Sequence, residues 1–255
     1  MKDYYIEQPG ILIDNFIISS WHKTGTVLIK MIFKEYNRIK PIEYSRNKYN
    51  FKYYNYQLTK EAFFNYVFFE LERKKVIVFI RNPYEHIVSS VRYHTTIGRN
   101  GVIGTRGKGS PTINKYNQAV CDLDNIDDQL LFEMNNRCKG IIYAMYNLVY
   151  SIKNYVVHNK NNPTSNILDS FLIIKLEEFW TDESRSLASK KICDHIPELD
   201  YDIFHKVVLT HTKFKYNKTT NVFNYTYKDI FKEQHYIEFD KIFPSDIMHV
   251  LEYNK

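Results

Sequence analysis

Phe16-Ile17-Ile18-Ser19-Ser20-Trp21-His22-Lys23-Thr24-Gly25-Thr26-Val27 decides how this chain is read. The apolar run from Ile11 to Ser19 has the near-continuous hydrophobicity of a strand buried on both faces. Ser20 to Gly25 is a short polar turn, and Thr26 to Tyr36 reads as a helix with Val27, Ile29, Met31, Ile32 and Phe33 apolar. A strand that enters a helix through so tight a turn leaves the first helical N–H groups unpaired and facing outward. With the helix dipole behind them they form a place for an anion. Gly25 permits close approach of the backbone, Lys23 brings a full positive charge, and Thr24 and Thr26 bring hydroxyls. In physical terms this is a phosphate-binding loop. It is not a Walker A loop, because Lys23 precedes Gly25 instead of following a glycine.

A second junction of the same kind lies downstream. Val76 to Ile80 is a fully apolar strand, and Arg81-Asn82-Pro83 follows it directly. Proline suits the first turn of a helix, and Tyr84 to Tyr93 has helical character. Arg81 therefore leaves the C-terminal end of a buried strand, where open α/β sheets bind their ligands. Its planar fork of donors matches a phosphate. Ser89 follows about two helical turns later with a hydroxyl donor.

Further elements follow outward from these two. Glu61 to Arg73, Asp127 to Val157, Ser184 to His195, Tyr201 to Leu209, Glu233 to Phe243 and Ser245 to Leu251 read as helices. Phe171 to Ile174 reads as a third buried strand. Residues 97 to 118 change character: five of the eight glycines lie between Gly98 and Gly109, interleaved with Arg99, Arg106 and Lys108. That composition predicts a long flexible loop of the kind that is usually functional. Strands alternating with helices predict a single α/β domain, a three-layer sandwich around a central parallel sheet.

Composition sets the outer bounds. The 255 residues are 44% hydrophobic and 16% aromatic, enough for a packed core. Twenty-two tyrosines beside abundant Lys, Asn and Ile are what an AT-rich genome produces. A net charge of +6 suits an anionic ligand but falls short of a nucleic-acid binder. Cys121, Cys138 and Cys193 are scattered and odd in number, which predicts reduced thiols and neither a zinc site nor a disulfide scaffold. The N-terminus lacks the apolar core of a signal peptide, and no apolar run reaches the roughly 18 residues of a spanning helix. The expectation is a cytoplasmic protein with no membrane and no nucleic-acid partner.

The two junctions together resemble the sulfotransferases that use 3′-phosphoadenosine-5′-phosphosulfate (PAPS). The family's 5′-phosphosulfate loop runs roughly P-K-S-G-T-T-W, against His22-Lys23-Thr24-Gly25-Thr26-Val27-Leu28 here. Its 3′-phosphate motif, R-N-P followed by a serine, is matched by Arg81, Asn82, Pro83 and Ser89. Leu172 to Phe179 is similar to the family's strand ending in Y-E-D, and Tyr227 to Glu233 to its C-terminal W-K-x-x-F-T segment. The loop lacks the family's proline and final tryptophan, and the late R-K-G clamp on the 3′-phosphate is missing. Lys213, Lys215 and Lys218 lie in that region.

The resemblance implies a sulfotransferase fold with a P-loop-like loop, and PAPS as donor with 3′-phosphoadenosine-5′-phosphate as product. No metal is implied. Lys23 would stabilise the leaving oxygen, Thr24, Gly25, Thr26 and Val27 would hold the 5′-phosphate, and Arg81 and Ser89 the 3′-phosphate. Lys213 and Lys215 are candidates for the missing clamp. The acceptor needs a base. The histidine that many relatives place before the 3′-phosphate arginine is absent, since none lies between His22 and His86. Glu43 is the first candidate, His94 the second and His22 the third. The expected acceptor is a small molecule such as a specialised metabolite or toxin, sulfated on a hydroxyl or amine; a glycan is the alternative. From other classes, a P-loop-type nucleotide kinase and a non-catalytic nucleotide-binding protein stay open.

Overall fold

The computed structural model describes residues 7–9, 11–13, 16–21, 23–40, 50–52, 75–100, 111–158, 170–213 and 226–254. In chain order the elements are β1 (Glu7–Pro9), β2 (Ile11–Ile13), β3 (Phe16–Ser20), α1 (Thr26–Ile39), β4 (Asn50–Lys52) and β5 (Lys75–Ile80). Then come α2 (Pro83–Asn100), α3 (Pro111–Cys121), α4 (Ile126–Asn135), α5 (Arg137–His158) and β6 (Phe171–Lys175). A 3-10 turn at Leu176–Phe179 leads to α6 (Asp182–His195), α7 (Tyr201–Lys213), α8 (Tyr227–Ile230), α9 (Glu233–Ile242) and α10 (Ile247–Val250). The protein is α/β, with three mutually parallel strands and a majority of helix. The helix expected at Glu61 to Arg73 lies outside the described residues.

The chain divides into two compact units, each assembled from two stretches of sequence. Met1–Arg81 joins Met145–Tyr216, and Asn82–Ala144 joins Asn217–Lys255. The first unit carries a four-stranded sheet in the order β2-β3-β5-β6. The single strand read over Ile11 to Ser19 is in fact two. β2 pairs antiparallel with β3, Ile11 opposite Ile18 and Ile13 opposite Phe16. The polar pair Asp14-Asn15 interrupts the apolar run, and these residue types favour turns. β3, β5 and β6 pair in parallel, with Ser20 opposite Phe79 and Ile80 opposite Lys175.

Burial on this sheet explains its sequence. Ile18, Ile77, Phe79 and Ile174 are enclosed with Ile29, Ile32 and Phe33 of α1, Ala188 and Ile192 of α6, and Phe204, Val207 and Val208 of α7. Each large side chain so enclosed contributes about 1.5–3 kcal/mol. The α1 positions 29, 32, 33 and 36 are one face at helical spacing. Tyr36 is wholly buried, its ring 5.9 Å from Phe204, and its hydroxyl accepts the Asp200 N–H at 2.8 Å. That bond ties α1 to the start of α7, with Lys40 reaching the Asp200 carboxylate at 3.3 Å.

The second unit is helical. Asn82 opens α2 as its cap: its Oδ1 accepts the N–H groups of Tyr84 at 2.9 Å and Glu85 at 3.3 Å. Pro83 stands at the first position, where its missing N–H costs nothing. Tyr84 packs its ring on Tyr227, Phe231, Tyr236 and Phe239. Buried Glu85 accepts the Tyr227 N–H at 3.1 Å, which anchors α8 on α2.

Two readings of this unit are corrected. The loop expected over 97 to 118 is helical at both ends, because α2 continues to Asn100 and α3 begins at Pro111. The single helix expected over Asp127 to Val157 is broken at Asn136, whose φ of −115° and ψ of −106° are not helical. The side-chain amides of Asn135 and Asn136 donate to the carbonyls of Leu131 and Phe132, closing the last turn of α4. The three cysteines are free thiols. No helix among the described residues is long and apolar enough to cross a membrane.

Tyr36→Phe keeps the packing and removes the acceptor of the Asp200 N–H. It is expected to cost about 0.5–1.5 kcal/mol in urea unfolding, with the spectrum of the folded protein unchanged.

Candidate functional site

The turn between β3 and α1 is built by its own hydroxyls. Thr24 is fully buried; its Oγ1 accepts the Trp21 N–H at 2.6 Å and donates to the Trp21 carbonyl at 2.7 Å. Thr26 donates to the same carbonyl at 2.8 Å, and Ser20 donates to Thr26 at 3.1 Å. The hydroxyls of Thr24 and Thr26, read as phosphate ligands, are thus committed to holding the loop's shape. This curl places two consecutive odd residues in the left-handed region, Lys23 at φ +66° and Gly25 at φ +84°.

Gly25 is required twice over. Its positive φ disfavours any side chain, and a Cβ there would stand 2.4 Å from Cδ1 of Leu176. Gly25 is also the cap of α1 and supplies no side-chain hydrogen bond to it. The first backbone bond of the helix runs from the Ile29 N–H to the Gly25 carbonyl, 2.9 Å. The N–H groups of Thr26, Val27 and Leu28 therefore have no partner within the helix. Val27 is 70% exposed, so this end of the helix is open to solvent.

Arg81 reaches the same loop from the end of β5. Its Nη1 donates to the Lys23 carbonyl at 3.0 Å, across 58 residues of sequence. The parallel pairing of β3 with β5 makes this possible, since it brings the C-terminal ends of the two strands level. Lys23, Thr24, Gly25, Thr26, Val27 and Arg81 thus form one locality: a helix N-terminus, a bent loop, and two cationic residues. Helix N-termini and bent loops of this kind have the chemistry to receive an oxyanion.

The other candidates are described in their own units. Ser89 is a half-buried residue of α2, in the second unit. His94, also on α2, is fully buried, with Nδ1 against Glu133 Oε1 and Nε2 at 3.2 Å from Arg137 Nη1. A guanidinium can only donate, so Nε2 accepts and the ring is the neutral Nδ1–H tautomer. In this arrangement the lone pair that a general base would use is held by Arg137. Lys213 is the last residue of α7. Glu43, His22, Lys215 and Lys218 lie outside the described residues.

Sequence reasoning missed three groups around His94. Glu133 has no exposed surface, and its Oε2 accepts the Tyr116 hydroxyl at 3.0 Å and the Cys138 thiol at 3.5 Å. Burial and the Glu133 charge push the Tyr116 hydroxyl and the Cys138 thiol well above their usual values. The only trace in the sequence is the spacing of Glu133 and Arg137, four apart. His94, 39 residues earlier, gives no sign of joining them.

No known protein family, curated protein or solved structure matches this chain.

Gly25→Ala adds strain from the positive φ and the Leu176 contact, and it is expected to destabilise by about 1–3 kcal/mol. In a Leu176→Ala background the contact is gone and the backbone strain remains. The same substitution is then expected to cost less, as measured by thermal unfolding of the four proteins.

Proposed function

We propose that this protein is a sulfotransferase that takes the sulfuryl group of PAPS to a hydroxyl or amine of a small-molecule acceptor. The observation that carries the reading is the contact of Arg81 with the Lys23 carbonyl. It joins two motifs that carry less weight apart than together, on adjacent parallel strands and at the end of the sheet where open α/β folds bind nucleotides. The central parallel sheet and the strand–turn–helix junction are compatible with the three-layer sulfotransferase architecture.

The chemistry asks little of the protein beyond placement and charge. The acceptor oxygen or nitrogen attacks sulfur while the bond from sulfur to the bridging oxygen of the 5′-phosphate breaks. The acceptor proton passes to a base, and the nucleotide leaves as 3′-phosphoadenosine-5′-phosphate with the additional negative charge. Charge that grows in the transition state is best met by donors already in place. The unpaired N–H groups of Thr26, Val27 and Leu28 are such donors for the 5′-phosphate, and Lys23 is the cation for the leaving oxygen. Because the loop hydroxyls are spent on Trp21, backbone N–H groups and cations carry the binding. Arg81 braces the loop and contributes positive charge beside it.

A ligand that binds only the folded state raises the unfolding midpoint by mass action. Titration with 3′-phosphoadenosine-5′-phosphate is expected to raise the midpoint by several degrees, and Lys23→Ala to weaken this response. With a sulfur-labelled donor and a panel of phenols and amines, Lys23→Ala is expected to lower transfer about 10²–10³-fold. A rise with ADP and Mg²⁺, and none with the 3′-phosphorylated nucleotide, would favour a nucleotide kinase and overturn the reading. Binding without transfer, unchanged in Lys23→Ala, would favour a non-catalytic nucleotide binder.

A further inference from the structure

The second unit holds a charge arrangement that the donor chemistry does not use. Glu133 and Arg137 stand four residues apart, the spacing at which a carboxylate and a guanidinium ordinarily pair directly along a helix. Here α4 ends and α5 begins between them, and the ring of His94 comes in from α2. Glu133 takes Nδ1–H of the imidazole, and Arg137 donates to Nε2. The carboxylate is then satisfied by His94, Tyr116 and Cys138. Arg137 makes no ion pair with any carboxylate among the described residues.

Burying a carboxylate is costly unless every lone pair is met. In this unit that cost produces orientation. Glu133 polarises His94, His94 fixes one nitrogen of the guanidinium, and the ring of Tyr116 lies 6.0 Å from its central carbon. Partners one step removed orient metal ligands in the same way. Arg137 is half-buried, and its Nε and Nη2 edge makes no hydrogen bond to a described residue. That edge is the one that receives an oxyanion through two parallel bonds. A held guanidinium therefore keeps one bidentate edge uncommitted among the described residues.

We propose that Arg137, braced by His94 and Glu133, is a binding site for a small oxyanion, a carboxylate or a sulfate group. The site lies wholly within the second unit and does not depend on the sulfotransferase reading.

His94 is the local reporter, because Nε2 shares its bond with the guanidinium that takes the ligand. The test is a titration of the full chain with sodium sulfate and, separately, sodium acetate, each against sodium chloride at equal ionic strength. The imidazole nitrogen resonances of His94 are followed by NMR. Every measurement is repeated in the Lys23→Ala protein, so that an anion on the β3–α1 loop cannot account for the response. Sulfate or acetate is expected to move the Nε2 resonance along a saturable curve that chloride does not reproduce. The more effective anion identifies the ligand as tetrahedral or planar.

Arg137→Gln is expected to abolish saturation. Arg137→Lys, which keeps the charge and loses the fork, is expected to weaken binding about tenfold. Both variants are followed by thermal unfolding, and Arg137→Lys is expected to keep the midpoint of the parent, which separates a lost site from a lost fold. A chloride curve that superimposes on the sulfate and acetate curves overturns the proposal. So does saturation that persists in Arg137→Gln, or affinity unchanged in Arg137→Lys.

Discussion

The parallel register of β3 with β5 is the constraint on which the candidate site depends. Ser20 lies opposite Phe79, so both strands end at the same level and their following turns share one edge of the sheet. A register slip of one residue would carry the side chains of the shifted strand to the opposite face of the sheet. The packing of Ile18, Ile77 and Phe79 against α1 and α7 opposes such a slip. Arg81 and the Lys23 carbonyl meet because hydrophobic burial fixes this register, and only then because a guanidinium donates to an oxygen.

The loop also divides labour in a way its composition conceals. Polar side chains in a phosphate-binding sequence suggest direct ligands, yet Thr24 and Thr26 both turn back onto Trp21. What they produce is a backbone shape with Lys23 and Gly25 at positive φ. The outcome is a helix start whose N–H groups face solvent beside two cations. Leu176, at the end of β6, closes against Gly25 from behind. Three strands therefore contribute to one turn: β3 leads into it, β5 braces it through Arg81, and β6 limits its volume.

In the second unit the organising element is a buried carboxylate. Glu133 gathers donors from three helices: His94 from α2, Tyr116 from α3 and Cys138 from α5. A half-satisfied network of this kind would be worse than an apolar core. Here His94 is engaged on its other nitrogen by Arg137, and the polar cluster links α2, α3, α4 and α5.

The sequence by itself determined the alternation of strands and helices, the two junctions after apolar strands, and the glycine and arginine that mark them. These features are local: periodicity, turn residues and a proline at a helix start act over a few residues and leave a readable trace. The Ile11 to Ser19 run reads as one strand because its hydrophobicity is nearly continuous, and the pairing of Ile11 with Ile18 divides it in two. The loop at 97 to 118 is shorter than its composition suggests because helices reach into both of its ends, and the Asp127 to Val157 run conceals a break because its periodicity continues past Asn136. The tertiary structure alone decided that Thr24 faces inward, that Leu176 requires Gly25, and that His94 stands between Glu133 and Arg137. Each of these depends on which distant segments come into contact, and a contact between residues far apart in the chain has no periodicity of its own.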